Sequence, residues 1–597
     1  MSTRRRELVH VVGLWLGLAV VRWLAALPVV QPRIFRDELL HWQLARSFVT
    51  HKPFLVSGEV VDYPAVLYPA ILSLGLHVSD LHLAFHLAQG LNALMISAVV
   101  LFAYALGREL VDHRSAMAVA LLAGLAPAGG YSVFIMEESA YYPLFVASGW
   151  LGWRVLVHGR WRDAAACAVA LMLTYFAKPL VVPLVAAYAG VVMLWLVMEL
   201  RAGNVGFRGV LAPLAVRLAP VMAFGAMLVV RHALTARGTD ATQSGVVLGR
   251  FYTDELGGAL LPPIKPFSAV VLALALALAL GVGIAPLVAL LGGWRARITD
   301  RRRLWLAVLA IAVATVYVLA AARHTMVINR LPKIHERYAF AVGPLFIALF
   351  FADAAPLSVG AIAVAGTGIA AVMARIAYIA LPDNTWVNAP SMTVAWLLFT
   401  KTGAVVIGLL LGATTVLVCV LARRMWARHG TLARAVTLAM PLLVLNVVWY
   451  AFVYRIQRFI EPMQNTIAAL EALPVIPSER SESRNLHLPS GARITAVVSA
   501  DADPMAMLSY YGKFWLEDRL TVYWTGSAPP PWYVDATGPA SAAASATRAA
   551  YLVGLPGVAA QCVGATRVLL TTAGASPPIE VVATPPGGCA PSRGQTP

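Results

Sequence analysis

Charged residues are scarce in this chain: Asp, Glu, Lys and Arg make up 13% of its 597 residues, whereas 60% are hydrophobic. Average soluble domains contain about 25% charged and about 45–50% apolar residues. A soluble protein of this length has too little interior to bury so many apolar side chains, which excludes a soluble globular fold. The apolar residues form repeated runs of about 20, the length of a helix that crosses a bilayer. The composition predicts an all-α, polytopic membrane protein.

Acidic residues are also few, with 29 Asp and Glu against 46 Lys and Arg and a net charge of +17. Basic chains often bind nucleic acid, but here the cations lie in short clusters between the apolar runs, as topology signals do. Acidic lipid head groups are therefore the expected partners of these clusters, and no nucleic acid is expected.

We predict about thirteen transmembrane helices from the apolar runs. They lie at 8–29, 82–106, 115–134, 139–158, 164–178, 180–199, 209–230, 267–292, 304–322, 339–354, 356–379, 402–422 and 435–455. The first run is too long for the core of a signal peptide, so it is expected to be retained.

The distribution of cations predicts the orientation in the membrane. Lys and Arg are roughly three times denser in the connections that lie inside when the N-terminus is cytoplasmic, as the positive-inside rule expects. The C-terminal tail then lies outside the cytoplasm. Because the Ala-, Arg- and Val-rich composition is typical of a GC-rich bacterial genome, the expected location is a bacterial inner membrane.

The chain changes character at about residue 458, where polar residues become frequent. This divides it into a transmembrane domain at 1–457 and an extracytoplasmic domain at 458–597. Strand patterns predict a small second domain that is either α/β or β-rich. These patterns lie at 494–499 and 520–524, with weaker ones at 568–572 and 579–582.

The outer loop 30–81 is too long for a simple turn. Within it, residues 36–48 carry apolar side chains at helical spacing, which predicts an amphipathic helix lying in the membrane interface. A second short helix is expected to begin near Tyr63 and Pro64.

Cysteine is rare, with four residues. Cys167 and Cys419 lie within apolar runs, where a lone cysteine usually packs as a small hydrophobic side chain. Cys562 and Cys589 both lie in the tail, and two thiols in an oxidising compartment can pair. The sequence leaves open whether this disulfide forms, because it does not supply the geometry.

Four groups of charged residues fall at the predicted outer ends of the spans. They are Asp37 and Glu38, Glu137 and Glu138, Lys178, and the segment 323–338 that contains Arg330, Lys333, Arg337 and Tyr338. Each has an ordinary structural interpretation: a helix N-terminus, a solvated turn, a lysine that snorkels to the interface, and an interfacial anchor. Their location on one membrane face favours a shared site.

Acids and cations on one outer face suit the transfer of a sugar from a lipid-linked phosphate. The acceptor hydroxyl loses a proton as it attacks the anomeric carbon, so a carboxylate base must reach it. The leaving group is a phosphate, whose developing charge fixed cations stabilise. The chain also lacks a Gly-rich nucleotide-binding loop, which this donor does not require.

The ordered set of motifs resembles the membrane glycosyltransferases of the GT-C fold. It is similar to bacterial members related to protein O-mannosyltransferases and to aminoarabinose and lipid-A galacturonosyl transferases. The matching residues are Asp37-Glu38 with Ala45, Tyr63-Pro64 through Leu67-Tyr68-Pro69, Glu137-Glu138, Lys178-Pro179, and Glu336-Arg337-Tyr338 with Pro344. The resemblance covers roughly residues 8–350.

The resemblance implies a role for each matching residue. Asp37 aligns with the catalytic carboxylate, and Glu38 orients it or helps to bind a cation. Lys178 and Arg337 contact the donor phosphate, with Tyr338, Arg330 and Lys333 beside them; Tyr63 and Tyr68 belong to the acceptor or lipid loop; Glu137 and Glu138 form the second acidic site. The resemblance leaves open whether a divalent metal, Mg or Mn, lies between Asp37, Glu137 and Glu138.

The leading hypothesis is an inverting glycosyltransferase that moves a sugar from a polyprenyl-phosphate donor to a cell-envelope glycan, lipid or protein, as in cell wall biogenesis. One alternative is a transporter or flippase of lipid-linked sugars. Transporters usually have internal repeats and ionisable residues near mid-membrane, whereas no repeat is found here and the acids gather at one face. The other alternative is a noncatalytic assembly subunit with the same fold.

Overall fold

The computed structural model describes the helical part of the chain and six short strands of the tail. It covers residues 3–353 with gaps at 31, 33–35, 51–54, 57–58, 61–62, 203–206, 236–263, 283, 293–296, 329–336 and 338–339. It then covers 360–368, parts of 413–424, 430–454 except 452, and the strands given below.

Helices account for nearly all of the described residues before 455. The helices are α1 (Thr3–Ala26), α2 (Arg36–Thr50), α3 (Leu67–Ser73), α4 (Leu81–Ser97), α5 (Val99–Arg108), α6 (His113–Gly124), α7 (Glu138–His158), α8 (Trp161–Ala177), α9 (Val182–Arg201), α10 (Phe207–Thr235), α11 (Ile264–Val282), α12 (Ala285–Gly292), α13 (Arg301–Ile328), α14 (Gly343–Ala352) and α15 (Gly430–Ala451). Short 3-10 turns lie at Leu74–His77, Pro127–Val133, Pro179–Val181 and Phe340–Val342.

The residues group into two units. The first contains Met1–Pro28, Asp62–Gly75 and His86–Phe452, and the second contains Val29–Val61, Leu76–Phe85 and Val453–Pro597. Because the first unit holds most of the apolar helices, it forms the helical bundle.

Six described helical segments are long and apolar enough to cross a membrane, or seven if a bent pair counts as one span. They are Arg5–Ala26, Leu81–Arg108, Pro179–Arg201, Arg208–Leu234, Arg301–His324 and Gly430–Ala451. This supports membrane insertion of a mostly helical chain. The predicted fourth and fifth spans are occupied by α7 and α8, and α8 is short, with 17 residues. The total of thirteen stays a prediction.

The predicted third span is bent rather than straight. α6 and the 3-10 turn Pro127–Val133 meet at an angle of 51°. Two glycines allow other helices to approach the bend closely: Arg22 of α1 lies against Gly129, and the Trp449 ring of α15 lies against Gly130. Arg22 also donates hydrogen bonds to Ser97 Oγ, at 2.7 Å, and to the carbonyl of Gly124. The bend is thus held from two sides.

A methyl group added at Gly130 would overlap with the Trp449 ring. We expect Gly130→Ala to reduce the free energy of unfolding by about 1–3 kcal/mol, because a ring packed against backbone cannot move cheaply. Gly13→Ala is the matched control, since a Cβ there meets nothing within 4 Å. Thermal unfolding of the purified proteins in one detergent measures both, and equal midpoints would contradict the packing at Gly130.

In the second unit, α2 packs beside a two-stranded antiparallel hairpin, β1 (Leu55–Val56) and β2 (Glu59–Val60). The predicted helix at 36–48 is confirmed. Asp37, Gln43 and Arg46 are partly exposed, whereas Glu38 and His41 are as buried as the apolar Leu39 and Leu44. The position of α2 in the membrane interface stays a prediction.

The described strands of the tail form one mixed sheet. The strands are β3 (Ile494–Val498), β4 (Leu520–Trp524), β5 (Ala536–Thr537), β6 (Tyr551–Gly554), β7 (Thr566–Leu570) and β8 (Glu580–Ala583), in the order β5-β4-β3-β6-β8-β7. β3 pairs in parallel with β4 and β6, whereas β8 pairs antiparallel with β6 and β7. The segments that join these strands lie outside the described residues, so the choice between α/β and β-rich stays open.

Candidate functional site

An irregular backbone segment carries the second acidic pair into the helical bundle. After the bend at Pro127–Val133 the chain is extended at Phe134, and α7 begins at Glu138. Such backbone needs hydrogen-bond partners when it is buried. Asn92 Nδ2 donates to the carbonyl of Phe134 at 2.6 Å, and Gln89 Nε2 donates to that of Val133 at 3.3 Å. These two amides of α4 therefore fix where Glu137 and Glu138 lie.

Tyr68, predicted for the acceptor or lipid loop, belongs to this support. Its hydroxyl donates to Asn92 Oδ1 at 3.0 Å, and the side chain is fully buried. The bond sets the orientation of the Asn92 amide, so Tyr68 acts through Asn92 on the segment before Glu137.

Lys178 lies between the two glutamates. It occupies the extended residue at which α8 ends and the 3-10 turn Pro179–Val181 begins. Its ammonium Nζ is 2.6 Å from Glu138 Oε1 and 3.0 Å from Glu137 Oε1. All three residues are at most 7% exposed. The interpretations of a snorkelling lysine and of a solvated acidic turn are therefore both wrong.

Tyr63 and Arg337 complete the cluster. The Tyr63 hydroxyl donates to Glu137 Oε2 at 2.9 Å, and Arg337 Nη1 is 3.6 Å from Glu138 Oε1 and 3.9 Å from Met136 Sδ. We call Tyr63, Glu137, Glu138, Lys178 and Arg337 the carboxylate–lysine cluster. Its two acids and two cations balance, as burial in an apolar bundle requires.

A narrow pocket opens beside this cluster, with a cavity volume of about 10 Å³, which is room for one water molecule. It is lined by Ile96, Ala128, Tyr131, Glu138, Tyr141, Tyr142, Arg337, Phe340 and Ala341. A carboxylate and a guanidinium thus share a wall with several aromatic rings. This combination can orient a polar group while it excludes water from the rest of the surface.

Tyr141, which lines the pocket, is held by a second tyrosine, Tyr317. The Tyr141 and Tyr317 hydroxyls are 2.8 Å apart, and Tyr317 also donates to the carbonyl of Leu180. The ammonium of Lys178 lies 6.0 Å from the centre of the Tyr141 ring. The roles of Tyr141 and Tyr317 were missed from the sequence. The available signal was the position of Tyr141, three residues after Glu138, which places both on one helical face.

Asp37 and Glu38 belong to the second unit, where they form the first turn of α2. Glu38 is fully buried and Asp37 is partly exposed. Acidic side chains in a first turn are favoured by the helix dipole. The ordinary interpretation of this pair as a helix N-terminus therefore holds, and the catalytic role of Asp37 stays a prediction.

Several predicted site residues lie outside the described residues. They are Arg330, Lys333 and Tyr338 of the donor-phosphate group and the two tail cysteines, Cys562 and Cys589. Cys167 and Cys419 are both buried and free, as their apolar surroundings predict.

Within the described part of the chain, no group of three or more His, Cys, Asp or Glu side chains could hold a metal ion. At Glu137 and Glu138 the ammonium of Lys178 provides the positive charge that a metal would otherwise bring. The described geometry therefore gives no support to a Mg or Mn site at the second acidic pair.

Comparison of the sequence with protein-family models and with curated proteins gives no match.

Proposed function

We propose that this protein is an inverting glycosyltransferase of the GT-C type, which transfers a sugar from a polyprenyl-phosphate donor to an acceptor in the cell envelope. The observation that supports it most is the buried carboxylate–lysine cluster beside an aromatic pocket. Burial of two acids and two cations is costly, so such a cluster in an apolar bundle marks a functional site more often than a structural one.

The pocket suits the polar end of a lipid-linked sugar. Arg337 provides a fork of N–H donors that matches phosphate oxygens. Tyr131, Tyr141 and Tyr142 provide aromatic faces and hydroxyls beside it. In this proposal, the pocket widens to admit the sugar-phosphate, and the apolar tail of the donor extends between helices into the bilayer.

The pairing of Lys178 changes its proposed role. Because both glutamates hold its ammonium, its contact with the donor phosphate requires that it exchange partners. Arg337 lines the pocket and pairs with Glu138 at the longer distance of 3.6 Å, so it is the main phosphate ligand in the proposal. Asp37 keeps the role of base.

A transporter of lipid-linked sugars is the second candidate, and the bent span at Pro127–Val133 favours it, since broken helices are common in transporters. The buried arginines argue against a transporter. Arg22 binds Ser97 and the carbonyl of Gly124, and Arg217 binds the carbonyls of Leu156 and Pro213. Cations bound in this way stabilise helix ends and bends. They do not form a pathway for a proton or an ion that would drive transport.

Binding of the donor tests the proposal. We would measure the thermal unfolding midpoint of the full-length protein in nanodiscs with a panel of polyprenyl-phosphate sugars. A donor at 100 times its dissociation constant stabilises the folded state by about 2.7 kcal/mol. We expect one sugar-lipid to do so, and Arg337→Ala to abolish most of the shift.

Arg154→Ala is the matched control for Arg337→Ala. Arg154 is also an ion-paired arginine, at 2.7 Å from Glu109 and 3.1 Å from Asp163, but it does not line the pocket. The Arg154→Ala variant should have a lower unfolding midpoint than wild type, but the donor should raise that midpoint by the same amount as in wild type. Absence of a shift with every sugar-lipid, or an equal loss in both variants, would contradict the donor site.

A further inference from the structure

The connection between α7 and α8 exposes two arginines and a tryptophan. α7 ends at Gly159, whose φ of +58° and contact with the Arg217 guanidinium both require glycine. Arg160, Trp161 and Arg162 follow directly and are exposed, Trp161 by 62%. The Trp161 side chain is more exposed than that of Trp23, at 39%, and it lies between two arginines in the sequence.

Two acids near this connection share one arginine. Arg154 pairs with both Glu109 and Asp163, at 2.7 and 3.1 Å. Asp163 is buried and lies in the first turn of α8, next to Arg162 in the sequence. With Arg160 and Arg162 the connection carries three arginines against these two acids, so its net charge is positive.

Arg302 of α13 brings a third exposed cation to the same place. The Trp153 indole donates to the carbonyl of Arg302 at 3.0 Å, which fixes the start of α13 beside the end of α7. His158 interacts electrostatically with both Arg160 and Arg302, so both cations lie near it. We call Arg160, Trp161, Arg162 and Arg302 the α7–α8 patch.

The patch lies at the opposite end of α7 from Glu138. A helix of 21 residues is about 30 Å long, which equals the hydrocarbon thickness of a bilayer. The patch therefore falls at a membrane surface, away from the carboxylate–lysine cluster. Tryptophan is enriched at that depth, because its ring is amphipathic.

We propose that the α7–α8 patch binds the anionic headgroup of a membrane phospholipid. The guanidinium groups of Arg160, Arg162 and Arg302 bind the phosphate oxygens, and the Trp161 indole lies at the level of the glycerol backbone. Charge complementarity selects the ligand, since anionic headgroups are attracted by clustered cations at the surface whereas zwitterionic ones are not.

Fluorescence quenching tests this binding site in the full-length protein. The protein is placed in nanodiscs with brominated phosphatidylglycerol or brominated phosphatidylcholine, and the Trp161 signal is the difference between wild type and Trp161→Phe. We expect Trp161 to be quenched at an anionic lipid fraction about fivefold or more below that needed for the zwitterionic lipid. Arg160→Gln with Arg162→Gln should remove this preference.

Arg423→Gln with Arg424→Gln is the control, because these two arginines are also exposed and carry the same charge. This pair should leave the preference unchanged. Equal quenching by the two lipids in wild type would overturn the proposal, as would an equal loss in both double variants. Relief of the quenching by millimolar inorganic phosphate would also overturn it, because the site would then bind free phosphate. None of these readouts depends on glycosyl transfer.

Discussion

Replacement of Lys178 by methionine is expected to lower the free energy of unfolding by about 3–5 kcal/mol, because it leaves the two buried carboxylates of the cluster with a single cation, Arg337. Methionine keeps the length of the side chain, so the loss reports on charge and not on a cavity. Denaturation of the purified protein in mixed micelles measures the change. A loss below about 1 kcal/mol, the range of exposed ion pairs, would contradict the buried cluster.

Removal of one acid separates charge pairing from misfolding. Lys178→Met combined with Glu137→Gln removes one cation and one carboxylate together and leaves Glu138 with Arg337. Since removing a matched pair of buried charges costs little compared with breaking it, the double variant should regain most of the lost stability. A double variant as unstable as Lys178→Met would show that the cluster is not held by charge.

Replacement of Asp37 by asparagine is expected to reduce sugar transfer by about 10²- to 10⁴-fold, the usual contribution of a general base. Folding should change little, because Asp37 is partly exposed and a first-turn carboxylate contributes only about 0.3–1 kcal/mol through the helix dipole. Turnover of a labelled donor and the unfolding midpoint of the same preparation measure the two effects.

Asp80→Asn is the matched control for Asp37→Asn. Asp80 lies in the same unit and caps α4 by accepting the N–H groups of His82 and Leu83 at 2.9 and 3.1 Å. Asparagine caps equally well, so both activity and stability should stay near the wild-type values. Wild-type turnover of Asp37→Asn would show that another residue is the base.

The helices were predictable because their signal is local. Runs of about 20 apolar residues define most of the described membrane helices, and the alternation in 494–498 and 520–524 predicted β3 and β4. The weaker strand at 568–572 is displaced by two residues from β7, at Thr566–Leu570. β6 was missed, because it follows directly on a low-complexity Ala- and Ser-rich stretch.

The site was only partly predictable, because its contacts join distant parts of the chain. The sequence identified Glu137, Glu138, Lys178 and Arg337 as members of one site, and the structure brings these four together. It did not predict that Lys178 is bound by both acids, since that depends on how α7 meets the end of α8. The amide support from Asn92 was also missed, because a lone Asn within an apolar run gives no periodic signal.

The most direct test of the proposed function is the stereochemistry of the transferred sugar. Purified protein in liposomes would receive a polyprenyl-phosphate sugar of known anomeric configuration together with an envelope acceptor, and the product linkage would be determined by NMR. An inverted linkage formed by wild type, retained by Asp80→Asn and absent from Asp37→Asn is the predicted result. Movement of intact sugar-lipid across the bilayer without any new glycosidic bond would contradict the proposal and identify a transporter.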